Sequence, residues 1–358
     1  MRPLRVAIVA PSLRIMGGQA VQADRLLRAW RGDPDIEAWL VPHNPLPPRP
    51  FRFAVSVKYA RTVVTEMTYV PLLARELKRA DVVHVFSASY FSFLLAPLPA
   101  IVVARALGKP VVVHYHSGEA PDHLARSSVA RAALSRTDGN VVPSSFLAHV
   151  FSSFGLSARV VPNLVDLGRF TFRERSPLRP RVLSTRNFEP LYNVACTLRA
   201  FKRFQERMPG ASLTLVGGGG EDAKLRTLAR DLALRNVVFA GQVDPDEIAN
   251  YYAEHDVYLQ SPNIDNMPVS ILEAYASGLP VVSTDVGGIP TILSDERHGL
   301  LAPADDDRAL AAQMLRLFDE PHLARQLAAN AFGTCHTYGW PSIRTQWLDI
   351  YQERHSVN

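Results

Sequence analysis

Two carboxylates bracket one short helix in this 358-residue chain. Asp265 and Glu273 stand eight positions apart in the stretch Ser261–Pro280, SPNIDNMPVSILEAYASGLP. A short polar side chain just ahead of a helix accepts a bond from a free backbone N–H, so Asp265 or Asn266 reads as the cap. Pro268 suits the first turn, where its missing N–H costs nothing, and Gly278 followed by Pro280 reads as the stop. Free amides at the start of such a helix attract anions. Glu273 lies mid-helix between Leu272 and Ala274. A single acid there reads as part of a solvated face, and the motifs around this one argue otherwise.

Other residues with chemical capacity are spread along the chain. After the apolar run Val6–Ala10, the loop Pro11–Ala20 carries Gly17 and Gly18 and leads into an amphipathic helix, Val21–Trp30. Strand, glycine loop and helix make a phosphate-cradling layout, although the glycine pair alone is equally a plain turn. The loop is not G-x-G-x-x-G, and no acid follows at the expected place on a second strand, which disfavours a dinucleotide. In KPVVVHYHSGE (Lys109–Glu119) the alternation places His114 and His116 on one face. His116 falls at the strand's C-terminal end, where ligands collect in parallel α/β sheets. His114, deeper in the strand, reads as a hydrogen-bonded structural histidine. Asp244 and Asp246 flank Pro245 like a metal-binding pair, but between a strand and a helix they read better as an acidic cap, as do Asp305, Asp306 and Asp307. Cys196 and Cys335 are far apart and have no metal-ligand neighbourhood, so neither a disulfide framework nor a metal site is expected.

The elements that must hold these residues alternate strand and helix throughout. Apolar runs at Ile36–Val41, Asp81–Phe86, Lys109–Glu119 and near Gly139 make one parallel set, closing at Arg159–Asp166. The charged run Arg169–Arg181 reads as a linker. The alternation then restarts with Pro180–Arg186, Ala211–Val216, Asn236–Val243, Val257–Ser261 and Leu279–Thr284. Two doubly wound α/β halves with a cleft between them follow, meeting near residue 165. A last helix, Trp340–Arg354, places Ile343, Trp347 and Tyr351 at helical spacing.

Charge is uneven. Residues 1–165 hold 19 Lys and Arg against 10 Asp and Glu, whereas the remainder holds 20 against 24. A basic half suggests an anionic partner, such as an acidic lipid surface or a phosphorylated substrate. Nucleic acid has little support, with no zinc, RNA-recognition or single-strand-binding motif. Between Arg49 and Arg79, Tyr59, Val63, Val64, Met67 and Val70 recur at helical spacing beside Arg49, Arg52, Lys58, Arg61, Arg75, Lys78 and Arg79. A core-facing helix with a basic solvated side is the plainer reading. A basic amphipathic face lying on a membrane is the sharper one. The run Val6–Ala10 is too short to span a bilayer, and no cleavage site follows it. The expected location is the cytoplasm, with peripheral association at the inner membrane face as the sharper alternative.

The sequence resembles the retaining glycosyltransferases of family 4, which have the GT-B fold. The resemblance covers nearly the whole chain and is strongest from Ser261 to Pro290. There Asp265 and Glu273 match the family's E-x7-E signature with Asp in first place, and GLPVVSTDVGGIP (Gly278–Pro290) matches its strand and Gly-Gly loop. PSSFL (Pro143–Leu147), VPNLVD (Val161–Asp166) and LSTR (Leu183–Arg186) through Phe201 are further landmarks, with Leu164 where the family has Gly.

The resemblance implies two Rossmann-like domains facing each other across a cleft. Residues 1–165, completed by the helix 340–358, would bind the acceptor; residues 166–339 would bind a nucleotide-sugar donor, a UDP-sugar by family habit. The reaction would move a sugar to a polysaccharide precursor, lipid-linked or other glycan acceptor, without a metal or other cofactor. Glu273 would accept from the ribose hydroxyls and Asp265 from hydroxyls of the donor sugar. Asn266, Met267 and the residues after Pro268, Ser270 among them, would face the sugar and diphosphate. Arg186 would neutralise the diphosphate, an electrostatic task that dominates such transfers. Gly17 and Gly18 would approach the donor phosphate, His116 would touch the donor sugar, and Gly241 and Gln242 would border the base. The family places a Lys a few residues after the Arg; here RNFEPLYN (Arg186–Asn193) brings Tyr192, a donor without charge. The alternatives are a nucleotide-sugar epimerase on the same fold and a non-catalytic nucleotide-sugar-binding partner.

Overall fold

Runs of β-branched residues such as RVAIVA and DVVHVF are apolar on both faces, the signature of strands covered by helices on each side. They form two parallel sheets in the structure of the protein, a computed structural model describing residues 2–14, 17–46 and 58–356, with the side chains of 58–63 and 356 excluded. The chain divides into two compact units, Met1–Leu164 with Trp340–Asn358, and Val165–Gly339. The Pro-rich stretch beyond residue 46, with Arg49 and Arg52, lies outside the described residues, as do the side chains of Lys58, Tyr59, Arg61 and Val63.

The first unit contains β1 (Leu4–Ala10), β2 (Ile36–Pro42), β3 (Val82–Ser87), β4 (Val111–Tyr115), β5 (Gly139–Val142) and β6 (Arg159–Val160), in the order β2-β1-β3-β4-β5-β6. Winding reverses between β1 and β3, where Val6 pairs with Val82 and Ile8 with His84. The helix Trp340–Ser356 belongs to this unit and buries Ile343, Trp347 and Tyr351 against Val6, Ile8 and Val82. Arg344 pins that helix by gripping both oxygens of Asp33, at 2.6 and 3.0 Å.

The helix Lys58–Glu76 presents to the core a face different from the one its apolar spacing suggests. Tyr69, Leu73 and Leu77 are fully buried, while Met67 is 71% exposed and Val70 is 42% exposed. The cause is that Tyr69 turns inward and donates to the carbonyl oxygen of Ala96 at 3.0 Å, which fixes the helix rotation. No helix among the described residues is long and apolar enough to cross a membrane.

The second unit contains β7 (Arg181–Thr185), β8 (Ser212–Val216), β9 (Val237–Gly241), β10 (Val257–Leu259), β11 (Val281–Thr284) and β12 (Leu300–Ala302), in the order β12-β11-β10-β7-β8-β9. Its winding reverses between β7 and β10, whose pairing joins Val182 to Val257. The charged run before β7 is no free linker. Asp256 is completely buried and takes ion pairs from Arg173 and Arg179 at 2.6 and 2.7 Å. Arg175, itself buried, donates to the carbonyls of Tyr252, His255 and Ser277. A buried acid and unfilled carbonyls at helix ends demand such donors. Arg175 thus ties the C-terminal ends of the helices Ile248–Glu254 and Val269–Ala276.

This packing bears on acid stability and on tolerance of substitution at glycines. His84 and His114 are buried in the first unit, beside the half-buried His116, with ring centroids 5.4 and 3.9 Å apart along the row. Phe86 and Trp347 stack on His84, whose Nδ1 lies 2.7 Å from the Tyr351 hydroxyl. His114 has no hydrogen-bond partner on either ring nitrogen, contrary to the structural bond expected of it. Burial pushes His84 and His116 down to about 3, and burial with the neighbouring rings pushes His114 well down. The unfolded chain therefore takes up protons near pH 6.5 that the folded chain refuses, so this stability is full above that pH and is lost as pH falls toward 3. Each histidine contributes up to about 1.4 kcal/mol per pH unit in that window. Urea midpoints should fall steeply from pH 7 to 5, and less steeply in His114→Phe; equal slopes would contradict the assignment.

A methyl group on Gly287, at φ +55°, would lie 2.0 Å from the Asp265 carbonyl oxygen, and one on Gly288 would lie 2.0 Å from that of Asn266. Gly287→Ala and Gly288→Ala should each cost at least about 2 kcal/mol in denaturant unfolding, whereas Gly18→Ala, with nothing within 4 Å, should cost nothing.

Candidate active site

At the reversal of the second sheet, Arg186 directly follows β7 and β10 runs out into the loop that carries Asp265. Open parallel sheets bind ligands in this position, beyond the carboxyl ends of the strands that flank a switch in winding. Arg186 and Asp265 form an ion pair here, with side chains only 10% and 13% exposed. Arg186 Nη1 donates to Ser270 Oγ at 3.3 Å, and its guanidinium lies over the Tyr192 ring at 4.1 Å. Burial works to lower the guanidinium pKa, but the charge of Asp265 and the Tyr192 and Tyr258 hydroxyls outweigh it, and the net shift is upward. Arg186 Nε is buried and has no hydrogen-bond partner.

Backbone packing fixes this arrangement. Gly217, at φ +146°, lets the end of β8 close on β7: a methyl group there would lie 2.0 Å from the Arg186 carbonyl oxygen. Phe188 donates to the Gly218 carbonyl at 3.0 Å, Gly220 donates to Glu189 Oε1 at 3.2 Å, and Gly217 donates to the Gly241 carbonyl at 2.8 Å. Gly241, at φ +74°, ends β9, and the Gln242 side chain packs on Gly218. Gly241 and Gln242 thus share one sheet edge with Arg186. On the other side of β7, the amides of Asn263 and Ile264 donate to the Leu191 carbonyl, which ties the Asp265 loop to the turn carrying Tyr192. The Gly288 amide donates to the Asp265 carbonyl at 3.2 Å.

The helix begins later than the polar residues suggest. It spans Val269–Ala276 with Pro268 at the cap position, and no side chain caps it. Asp265 Oδ1 instead accepts from the Asn266 amide at 2.8 Å, because the backbone at Pro268 stays extended and holds both residues off the helix axis. Met267 and Asn266 are buried. Glu273 is buried at 7% exposure rather than solvated. It faces Tyr252, whose hydroxyl pKa is raised well above its usual value by burial and by the Glu273 charge.

Several residues of this site carried no signal in the sequence. Tyr252 Oη lies 2.8 Å from Thr185 Oγ1 and donates to the Ser270 carbonyl at 3.2 Å. The Tyr258 hydroxyl donates to Gln260 Oε1 at 3.3 Å, as does Ser270 Oγ at 3.4 Å. These hydroxyls and the Gln260 amide form a buried polar bed beneath Arg186. Asp246, proposed as a cap, instead pairs with Arg169 at 3.3 Å, and its amide donates to Asp244 Oδ1 at 2.8 Å; the helix there starts at Ile248. Asp306 does cap, accepting from Arg308 and Ala309. Among the described residues, no group of three His, Cys, Asp or Glu side chains could hold a metal ion.

Gly17, Gly18 and His116 belong to the first unit, at the reversal of its own sheet. Gly17 precedes the helix Gly18–Ala29 in extended backbone. The Gln19 side chain and the His116 amide both donate to the Ser87 carbonyl, each at 3.2 Å. Phe86 stacks on the His116 ring.

The chain is similar to known proteins over nearly its whole length. Residues 16–169 match the family described as Glycosyltransferase Family 4, and residues 170–334 match Glycosyl transferases group 1. The phosphatidyl-myo-inositol mannosyltransferase of Mycolicibacterium smegmatis is 26% identical over 98% of this chain and 94% of its own. A sulfoquinovosyl transferase of Arabidopsis thaliana is 26% identical over 84% of this chain and 61% of its own. Among solved structures, sucrose-phosphate synthase from Thermosynechococcus elongatus aligns with a TM-score of 0.80 at 20% identity, covering 99% of this chain and 100% of that one. Anabaena HepE in complex with UDP-glucose aligns at 0.79 and 16%, covering 98% and 100%. The fold is GT-B, and the chain is a glycosyltransferase that belongs to glycosyltransferase family 4.

Proposed function

We propose that the protein transfers a sugar, with retention, from a UDP-sugar to a lipid-linked or other glycan acceptor. The observation that carries the donor side is Arg186: a buried guanidinium at the sheet's reversal, with one N–H unpaired. A buried unpaired donor is costly, and a diphosphate oxygen supplies its acceptor. Glu273 takes the ribose hydroxyls, and Asn266, Met267, Pro268 and Ser270 line the diphosphate. Tyr192 holds the guanidinium flat in place of a second cation. Gly241 and Gln242 border the base. The acceptor side falls to the first unit, whose Gly17 and Gly18 approach the donor phosphate and whose His116 touches the donor sugar. As the donor departs as nucleoside diphosphate, the acceptor attacks from the same face, and Arg186 stabilises the leaving group without a metal.

A relative named for phosphatidylinositol supports a lipid-linked acceptor. A second observation favours work at an anionic membrane surface. The helices Lys58–Glu76 and Tyr90–Leu95 leave Met67, Val70, Phe91 and Leu94 exposed within the basic half of the sequence. Exposed apolar side chains in a part of the chain with excess positive charge suit acidic headgroups.

Two measurements test these readings. Release of nucleoside diphosphate from UDP- and GDP-sugars should fall about 10²–10³-fold in kcat for Arg186→Ala, while Glu273→Gln should chiefly raise the donor KM. Unchanged turnover in Arg186→Ala would overturn the donor site, and wild-type binding without turnover on any acceptor would favour a non-catalytic partner. In flotation with vesicles containing acidic phospholipid, the protein should rise at low salt and be released at high salt, with Met67→Glu/Phe91→Glu weakening it. Equal binding to neutral vesicles, or none at low salt, would remove the membrane reading.

A further inference from the structure

The Asp265 carboxylate holds donors that the proposed site needs for its ligand. One oxygen accepts from the Asn266 amide at 2.8 Å, and the other is paired with Arg186 Nη2. Ser270 Oγ accepts from Nη1 and the Tyr192 ring covers a face of the guanidinium. Only Nε of Arg186 is without a partner. A negative carboxylate bound by a guanidinium and a loop amide reproduces in miniature the contacts a phosphate oxygen would make. Both partners are largely buried, so salt screens the pair weakly. With the pair intact the local charge sums to zero, and an incoming diphosphate meets a carboxylate where it needs a cation.

We infer that Asp265 is the resident anion of the donor site, displaced from Arg186 and the Asn266 amide when the donor diphosphate binds. This rests on the donor-site reading above and adds a regulatory element to it. Exchange frees the Asp265 carboxylate to accept from hydroxyls of the donor sugar, so one side chain closes the site without ligand and reads the sugar with it. The affinity of the site is then reduced by the fraction of molecules in which the pair is open. A purely structural pair behaves in the opposite way. If Asp265 only orients Arg186, its removal disorders the guanidinium and weakens the binding of nucleotide.

Calorimetric titration of the full chain with UDP and with GDP separates the two. Asp265→Asn and Asp265→Ala remove the negative charge, and thermal melts of each variant verify its folding. The expected result is that the better-bound nucleotide gains about tenfold in affinity in these variants, while sugar transfer falls. Arg186→Ala should lose that binding in both the wild-type and the Asp265→Asn background. Tightening in neither Asp265 variant, with the Arg186→Ala loss still present, overturns the resident-anion inference and leaves the donor site standing. If wild type binds neither nucleotide, or Arg186→Ala binds as well as wild type, the donor-site reading itself fails and the inference with it.

Discussion

The second unit depends on backbone carbonyls that meet glycines so closely that no side chain fits, and three of these contacts are the tightest. Gly217 meets the Arg186 carbonyl, Gly287 meets that of Asp265, and Gly288 meets that of Asn266. The first closes the end of β8 on that of β7, and the other two close the loop after β11 on the loop after β10, so the two pairs flank the point where the winding reverses. A cation from one strand end and an anion from the neighbouring one then face each other. Hydrogen bonds alone would not set this spacing, because the loops that carry the two residues are short and irregular. Close-packed backbone is far stiffer than a side-chain contact, since displacing it moves the strands themselves.

What lies above that edge is chemistry that only such rigidity allows. Arg186 is held on one side by Asp265, on another by Ser270 and on a face by Tyr192. Beneath it, Tyr252, Thr185, Tyr258 and Gln260 share hydrogen bonds in a buried polar bed. Such networks hold one arrangement when every member is satisfied. At the far end of the helix that carries Ser270 and Glu273, Arg175 secures the Ser277 carbonyl. The helix is therefore fixed at both ends, by glycine packing near its start and by a buried arginine at its stop.

Much of this site was legible in the sequence, and the gaps have physical causes. The spacing of Asp265 and Glu273, the glycine after the helix and the position of Arg186 at a strand end are local features, so they survive in one dimension. Tyr192 could be read as an uncharged substitute, but its stacking on Arg186 depends on a turn returning over the strand end. Gly217 is one of four consecutive glycines, Gly217 to Gly220; the close approach of the Arg186 carbonyl becomes visible only in three dimensions. The charged run Arg169–Arg181 reads as a linker from its local composition, whereas the buried Asp256 that recruits its arginines lies about 80 residues away in sequence. The exposed Met67 and Val70 show the same limit: helical spacing identifies a face but leaves the rotation to a tertiary bond, here from Tyr69 to Ala96.

The central claim is that a nucleotide-sugar diphosphate lies on Arg186 at the β7–β10 reversal. A crystal structure of the protein soaked with UDP-glucose and, separately, GDP-mannose tests it most directly. The account predicts diphosphate density within hydrogen-bond distance of Arg186 and of the amides that follow Asp265, with the ribose on Glu273. Density for the nucleotide at any other edge of the second sheet, with Arg186 still paired to Asp265, would contradict it.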